Sequence, residues 1–90
     1  MIIEQTATFD RQVKQLHKNQ KKDLDLAIKK IVDNPSIGDR KKGDLIGVQV
    51  YKFKMAKQLT LLAYEFCTDE QQLVLLTFGV HQNFYRDLKK

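Results

Sequence analysis

Along this chain the spacing of apolar residues changes from irregular to helical and then to a period of two. Ile2-Ile3-Glu4-Gln5-Thr6-Ala7 alternates loosely and predicts a short strand at a sheet edge. Thr8 stands where a helix cap belongs, and Phe9, Val13 and Leu16 then recur at helical spacing between polar residues. Asn19 is a second cap candidate. It precedes an apolar stripe of Leu24, Ala27, Ile28 and Ile31 that Asn34-Pro35 closes. Residues 8–33 therefore predict a helical hairpin. A loop with Pro35, Gly38, Gly43 and Gly47 follows, carrying the basic cluster Arg40-Lys41-Lys42.

Beyond the loop, Val48, Val50, Lys52 and Lys54 fall on one side of a strand, and Gln49, Tyr51, Phe53 and Met55 on the other. Leu59–Phe66 and Leu73–Val80 are apolar on both faces, as central strands are, and Thr68-Asp69-Glu70-Gln71 between them reads as a turn. Connections this short predict an antiparallel meander. His81 to Lys90 fits a short helix with Phe84 and Leu88 on one side. The expected architecture is α+β: a helical hairpin packed on a four-stranded, mostly antiparallel sheet, with a short C-terminal helix.

Length limits this to a single domain spanning residues 1–90, since two cores from 90 residues would each be too small. A domain of this size buries only about 60% of its extended surface, so a partner that binds the folded form adds useful stability. No apolar run reaches the ~20 residues of a membrane helix. Met1-Ile2-Ile3-Glu4 lacks the pattern of a secretory signal, and the one cysteine, Cys67, allows no internal disulfide. These features predict a cytoplasmic protein that needs no membrane. The formal net charge of +5 suits a polyanionic or acidic partner without choosing between them.

Candidate chemistry lies in two places. Between Asp44 and Glu65 the chain has no acidic residue, yet it carries Lys52, Lys54 and Lys57. Lys52 and Lys54 share one strand face, opposite the apolar residues expected to meet the helices. Two ammonium groups on an open face form a phosphate cradle, although lysines also serve simply to keep a strand soluble. The second place is Gly79-Val80-His81-Gln82-Asn83-Phe84-Tyr85-Arg86. On a helix His81 and Tyr85 are one turn apart. An imidazole exchanges protons near neutral pH, an aromatic ring stacks on a base, and Arg86 can hold a phosphate. Such parts can cleave RNA without metal; equally, His81 could cap a helix and Tyr85 pack half-buried. His17 sits on a lysine-rich surface and reads as solvated. His17, His81 and Cys67 are too scattered for zinc, and there is no P-loop, GxGxxG or GxSxG, so no cofactor is expected.

The order of elements, and three stretches in particular, resembles the RelE/ParE superfamily of toxins from bacterial type II toxin–antitoxin pairs. They are Gly43-Asp44-Leu45-Ile46-Gly47-Val48-Gln49-Val50-Tyr51-Lys52-Phe53-Lys54, then Leu61-Leu62-Ala63-Tyr64-Glu65, then Leu73-Val74-Leu75-Leu76-Thr77-Phe78-Gly79-Val80-His81. The resemblance implies one of two activities. RelE-like members cut messenger RNA on the ribosome, without metal, through attack by the ribose 2′-OH, whereas ParE-like members inhibit DNA gyrase. For the first activity it implies that Lys52 and Lys54 hold the scissile phosphate and that His81 is a general acid or base. Tyr85 or Phe84 then stacks on the base or aids proton transfer. Many nuclease members carry an arginine in the following strand. Here Leu59–Phe66 has none, which leaves Lys57 or Arg86 to supply that charge. A cognate antitoxin that covers the basic face is the implied protein partner, in a toxin–antitoxin hetero-oligomer.

Overall fold

In the computed structural model, residues 1–80 are described together with Phe84 and Leu88. Chain order is β1 (Ile2–Gln5), α1 (Ala7–Lys14), α2 (Lys18–Asp33), β2 (Asp39–Arg40), a 3-10 turn at Gly43–Leu45, β3 (Gln49–Met55), β4 (Gln58–Cys67) and β5 (Gln72–Gly79). The strands form one sheet in the order β1-β5-β4-β3-β2. β3, β4 and β5 are the expected antiparallel meander, while β1 lies parallel to β5 at the edge. Five strands stand where four were expected. The addition is β2, whose two residues pair Asp39 with Val50 and Arg40 with Gln49. A two-residue strand has no alternation to read; its partner alone makes it one.

Both helix starts also differ from the expectation. Thr6, not Thr8, caps α1: its Oγ1 accepts from the Phe9 N–H at 3.1 Å and donates to the Leu76 carbonyl at 2.6 Å. One hydroxyl thus starts the helix and ties it to β5. α2 begins two residues earlier than an Asn19 cap would allow, with His17 at its N-cap and the His17 N–H donating to Gln20 Oε1 at 2.9 Å.

The sheet carries a core on each face. On one, Phe9, Leu24 and Ile31 of the helices meet Met55, Leu62, Tyr64, Leu73, Leu75 and Phe78. On the other, Val48, Val50, Leu61 and Ala63 are covered by Phe84, with Leu45, Leu76 and Leu88 at the margin. Phe84 and Leu88 are both helical, as the C-terminal pattern predicts. A register shift at Ala63/Tyr64 puts Leu76 in excess on β5, so Leu75 and Phe78 can both reach the helix side. No helix among the described residues is long and apolar enough to cross a membrane.

Two polar side chains complete this frame. β1 ends opposite Leu75, so the outer edge of β5 lacks a strand at Phe78. Gln12 of α1 takes its place: Oε1 accepts from the Phe78 N–H at 3.1 Å and from the Thr77 hydroxyl at 3.0 Å, and Nε2 donates to the Phe78 carbonyl at 2.7 Å. A primary amide presents the same donor and acceptor as a peptide group, so it pairs with a strand edge as another strand would. Removing it orphans both backbone groups. Gln12→Ala is expected to cost about 2 kcal/mol, a fall in Tm of about 10 °C. Hydrogen exchange at the Phe78 amide checks the cause: it should accelerate in the variant, and unchanged exchange would refute the pairing.

The second is Tyr64, fully buried in β4. Its hydroxyl donates to the Pro35 carbonyl at 2.7 Å and accepts from the Gly38 N–H at 2.9 Å, with the Gln49 amide 3.2 Å away. The loop between α2 and β2 is thereby fastened to the centre of the sheet. Burial raises the phenol pKa above its ordinary value, against smaller lowering effects from the Gly38 N–H and Arg40.

Candidate functional site

β3 sorts its residues by alternation. Tyr51, Phe53 and Met55 pack toward the helices, and the rings of Tyr51 and Phe53 stack 6.2 Å apart. Lys52 and Lys54 consequently emerge on the opposite face, both exposed. At about 3.3 Å per residue their Cα atoms are about 7 Å apart, close enough for one phosphate to meet both ammonium groups. Across β4, Lys52 pairs with Leu61 and Lys54 with Leu59. Neither neighbour can neutralise a cation. Among the described residues the ion pair is Lys21 with Asp25 on α2, at 3.4 Å, and neither strand lysine has a carboxylate partner. Two unpaired ammonium groups repel by only ~0.6 kcal/mol at that spacing in water, and an anion between them reverses the sign.

Lys57 stands at the tip of the same hairpin. Ala56 and Lys57 close the two-residue turn with φ of 49° and 72°, a left-handed conformation usually given to glycine or asparagine. The Ala56 N–H donates to Asp23 Oδ2 of α2 at 2.8 Å, which holds the turn against the helix. A cation is therefore kept at the end of the strand that bears Lys54.

Phe84 corrects an expectation. It is 2% exposed and packed among Val48, Val50, Leu61 and Ala63, so its ring closes the second core and offers no face to a base. Its N–H donates to the Val80 carbonyl at 3.2 Å. His81, Tyr85 and Arg86 lie outside the described residues. Gly79, the last residue of β5, pairs with Leu61, and Leu61 pairs with Lys52. The end of β5 is thus two strand spacings, about 10 Å, from Lys52. Leu59 was expected to be buried in a two-sided strand, yet it is 52% exposed. The second core stops at Leu61, and only the extent of that cover reveals it; no local pattern distinguishes Leu59 from Leu61.

A separate groove lies elsewhere. About 640 Å³ opens at the other end of the sheet, between Val32, Pro35, Arg40, Lys41 and Phe66. The basic loop cluster borders that groove and not the strand lysines. Among the described residues Lys52 and Lys54 stand exposed, and Lys54 also borders a groove of about 350 Å³ with Asp23 and Lys30 of α2. Among the described residues no group of histidine, cysteine and carboxylate side chains could hold a metal ion.

A family model described as "ParE-like toxin of type II bacterial toxin-antitoxin system" matches residues 3–89. No curated protein matches the chain. Among solved structures, the chain is similar to the intact Escherichia coli RelBE toxin–antitoxin complex, with TM-score 0.71 at 14% identity over 90% of this chain and 96% of that one. A doubly substituted E. coli toxin RelE in the free state gives TM-score 0.73 at 12% identity, over 98% of this chain and 90% of that one. The conserved hypothetical protein HP0892 from Helicobacter pylori gives 0.53 at 22% identity, over 93% and 98% of the two chains. At such identities the likeness is one of fold.

Proposed function

We propose, given that this chain belongs to the ParE-like toxin family of type II bacterial toxin–antitoxin systems, that it stops growth as a ribosome-dependent messenger RNA endonuclease acting in the cytoplasm. The observation that carries this reading is the pair Lys52 and Lys54, exposed on the sheet face away from the helices with no carboxylate opposite either.

In the proposed reaction a base removes the proton of a ribose 2′-OH, and the 2′ oxygen attacks the adjacent phosphorus. The bond from phosphorus to the 5′ oxygen breaks, and that oxygen takes up a proton. The products are a 2′,3′-cyclic phosphate and a 5′-OH end. Lys52 and Lys54 neutralise the charge that gathers on the phosphoryl oxygens, where fixed cations lower the barrier most. His81 moves the proton, Tyr85 stacks on the base, and Lys57 and Arg86 hold flanking phosphates. The chemistry needs no cofactor. The ribosome positions the message, and the antitoxin, as in the RelBE complex, covers the toxin in a hetero-oligomer.

One observation favours a second reading. The matched family is described as ParE-like, and β4 contains no arginine to assist a nuclease; a gyrase inhibitor without catalysis of its own accounts for both. The two are separated by assaying the purified toxin on translating ribosomes and on gyrase. Cleaved message with normal supercoiling is expected, and His81→Ala should slow cleavage by about 100-fold or more. Blocked supercoiling with intact message overturns the nuclease reading.

A further inference from the structure

The outer edge of β3 is paired over only two residues. β2 covers Gln49 and Val50, and from Tyr51 to Met55 no described strand lies beside it. One bond fixes the direction of its backbone groups. The Lys41 N–H donates to the Val48 carbonyl at 3.0 Å, so Val48 faces the β2 side. Backbone groups alternate along a strand as side chains do, which turns the N–H and C=O of Lys52 and Lys54 outward as well. Such a row is a template for another strand.

A groove of about 350 Å³ follows that edge on the helix side, where Leu26, Ala27 and Lys30 of α2 line it with Tyr51, Phe53 and Lys54. Leu26 is 54% exposed, and the stacked rings of Tyr51 and Phe53 are half-buried. Phe84 and Leu88 pack on the other face of the sheet, so the second core does not fill this groove. Solubility explains lysines on an edge but not an apolar trough beside them.

Charge selects the occupant. Lys52 and Lys54 lie on the edge with Lys30 nearby, whereas Asp23 already accepts from the Ala56 N–H. A second copy of this chain fits badly, because antiparallel pairing of two β3 edges would set lysine opposite lysine. An acidic segment has the opposite effect. In an added strand, residues opposite Lys52 and Lys54 share the lysine face, and those between share the face of Tyr51 and Phe53.

We infer that the unpaired edge of β3 docks an extended segment of the antitoxin as an added strand, about five residues that alternate acidic with apolar side chains. This rests on the antitoxin partner of the proposed function and not on RNA cleavage. The segment's backbone pairs with Lys52 and Lys54, its carboxylates meet their ammonium groups, and its apolar side chains fill the trough of Leu26, Tyr51 and Phe53. Bound there, it neutralises the two cations on which the proposed chemistry depends.

The test uses the full chain with its full-length cognate antitoxin. Amide hydrogen exchange at Lys52 and Lys54 should slow by about 100-fold or more in the complex relative to the free chain. Leu26→Glu lies on the exposed side of α2, outside the proposed chemistry. It should leave Tm in place and weaken binding by about 10-fold to 100-fold, by removing an apolar contact and repelling the carboxylates. Lys52→Pro and Lys52→Ala lose the same charge, but only proline deletes the outward N–H, a change that an edge strand accepts. Proline should therefore bind about 5-fold or more weakly than alanine. The exchange and Leu26→Glu arms decide even if proline unfolds the chain. Unchanged exchange at both amides in a complex that forms, or wild-type binding by Leu26→Glu, overturns the docking and leaves the antitoxin partner standing. Equal binding by folded proline and alanine variants does the same. Failure of the wild-type chain to form any complex removes the partner and the inference together.

Discussion

Replacing Lys52 and Lys54 together by alanine is expected to abolish message cleavage and growth arrest while the protein melts within a few degrees of the wild type. In the proposed reaction each ammonium group stabilises the transition state in a way that costs about 100-fold to 1000-fold in rate when one donor is lost. Removing both should exceed either single loss, though by less than the product, because in that reaction they would serve one phosphate. The fold loses little. Both side chains are exposed, neither has a carboxylate partner among the described residues, and surface substitutions of this kind change stability by about 0.5 kcal/mol or less. Lys52→Arg/Lys54→Arg should retain part of the activity, since the charge survives while its placement changes. A thermal melt and cleavage on programmed ribosomes, run side by side, read the two effects. Full cleavage by the double alanine variant would remove the lysines from the mechanism.

The largest effect on stability is expected from Gly38→Ala. A methyl group there would lie 2.7 Å from the Tyr64 hydroxyl and 2.9 Å from the neighbouring ring carbon. The ring has no exposed surface and is held by hydrogen bonds to Pro35 and Gly38, so it cannot swing aside. Overpacking of that kind costs about 2–3 kcal/mol, a fall in Tm of about 10–20 °C in a chain of this length. Tyr64→Phe should cost about 1–3 kcal/mol by orphaning the Gly38 N–H and the Pro35 carbonyl. The double variant should lose less than the sum, because phenylalanine removes the atom that the new methyl meets first. Strict additivity would mean that the two residues do not act through this contact. The same hydroxyl has an alkaline signature. Its pKa is raised in the folded protein, so its contribution is complete below about pH 10, the ordinary tyrosine value, and fades as pH climbs through the higher folded-state value. Tyr64→Phe should flatten that part of the stability profile.

Much of this arrangement is legible in the residues themselves. The change from helical spacing to alternation at Val48 separates helices from strands, because each period follows from local backbone geometry. The same alternation in β3 places Lys52 and Lys54 opposite Tyr51, Phe53 and Met55 before any contact is known. Elements that exist only through a distant partner are not legible in this way. β2 has two residues and owes its existence to Val50 and Gln49. Thr6 outcompetes Thr8 as a cap because Leu76, seventy positions away, offers its carbonyl to the same hydroxyl. Gln12 looks like an ordinary surface amide on α1 until Phe78 arrives beside it with an unpaired edge.

At the candidate site the division is the same. That two cations share a strand face, with no acid nearby in the chain, follows from composition and period alone. Whether that face stays open depends on where its cover ends: Phe84 shields Leu61 and turns from a stacking candidate into core, while Leu59 two residues away is left in solvent. Local rules could set the direction of each side chain because steric preference acts between neighbours. Burial and edge pairing are sums over elements far apart in the chain, and they take their values only once those elements are packed together.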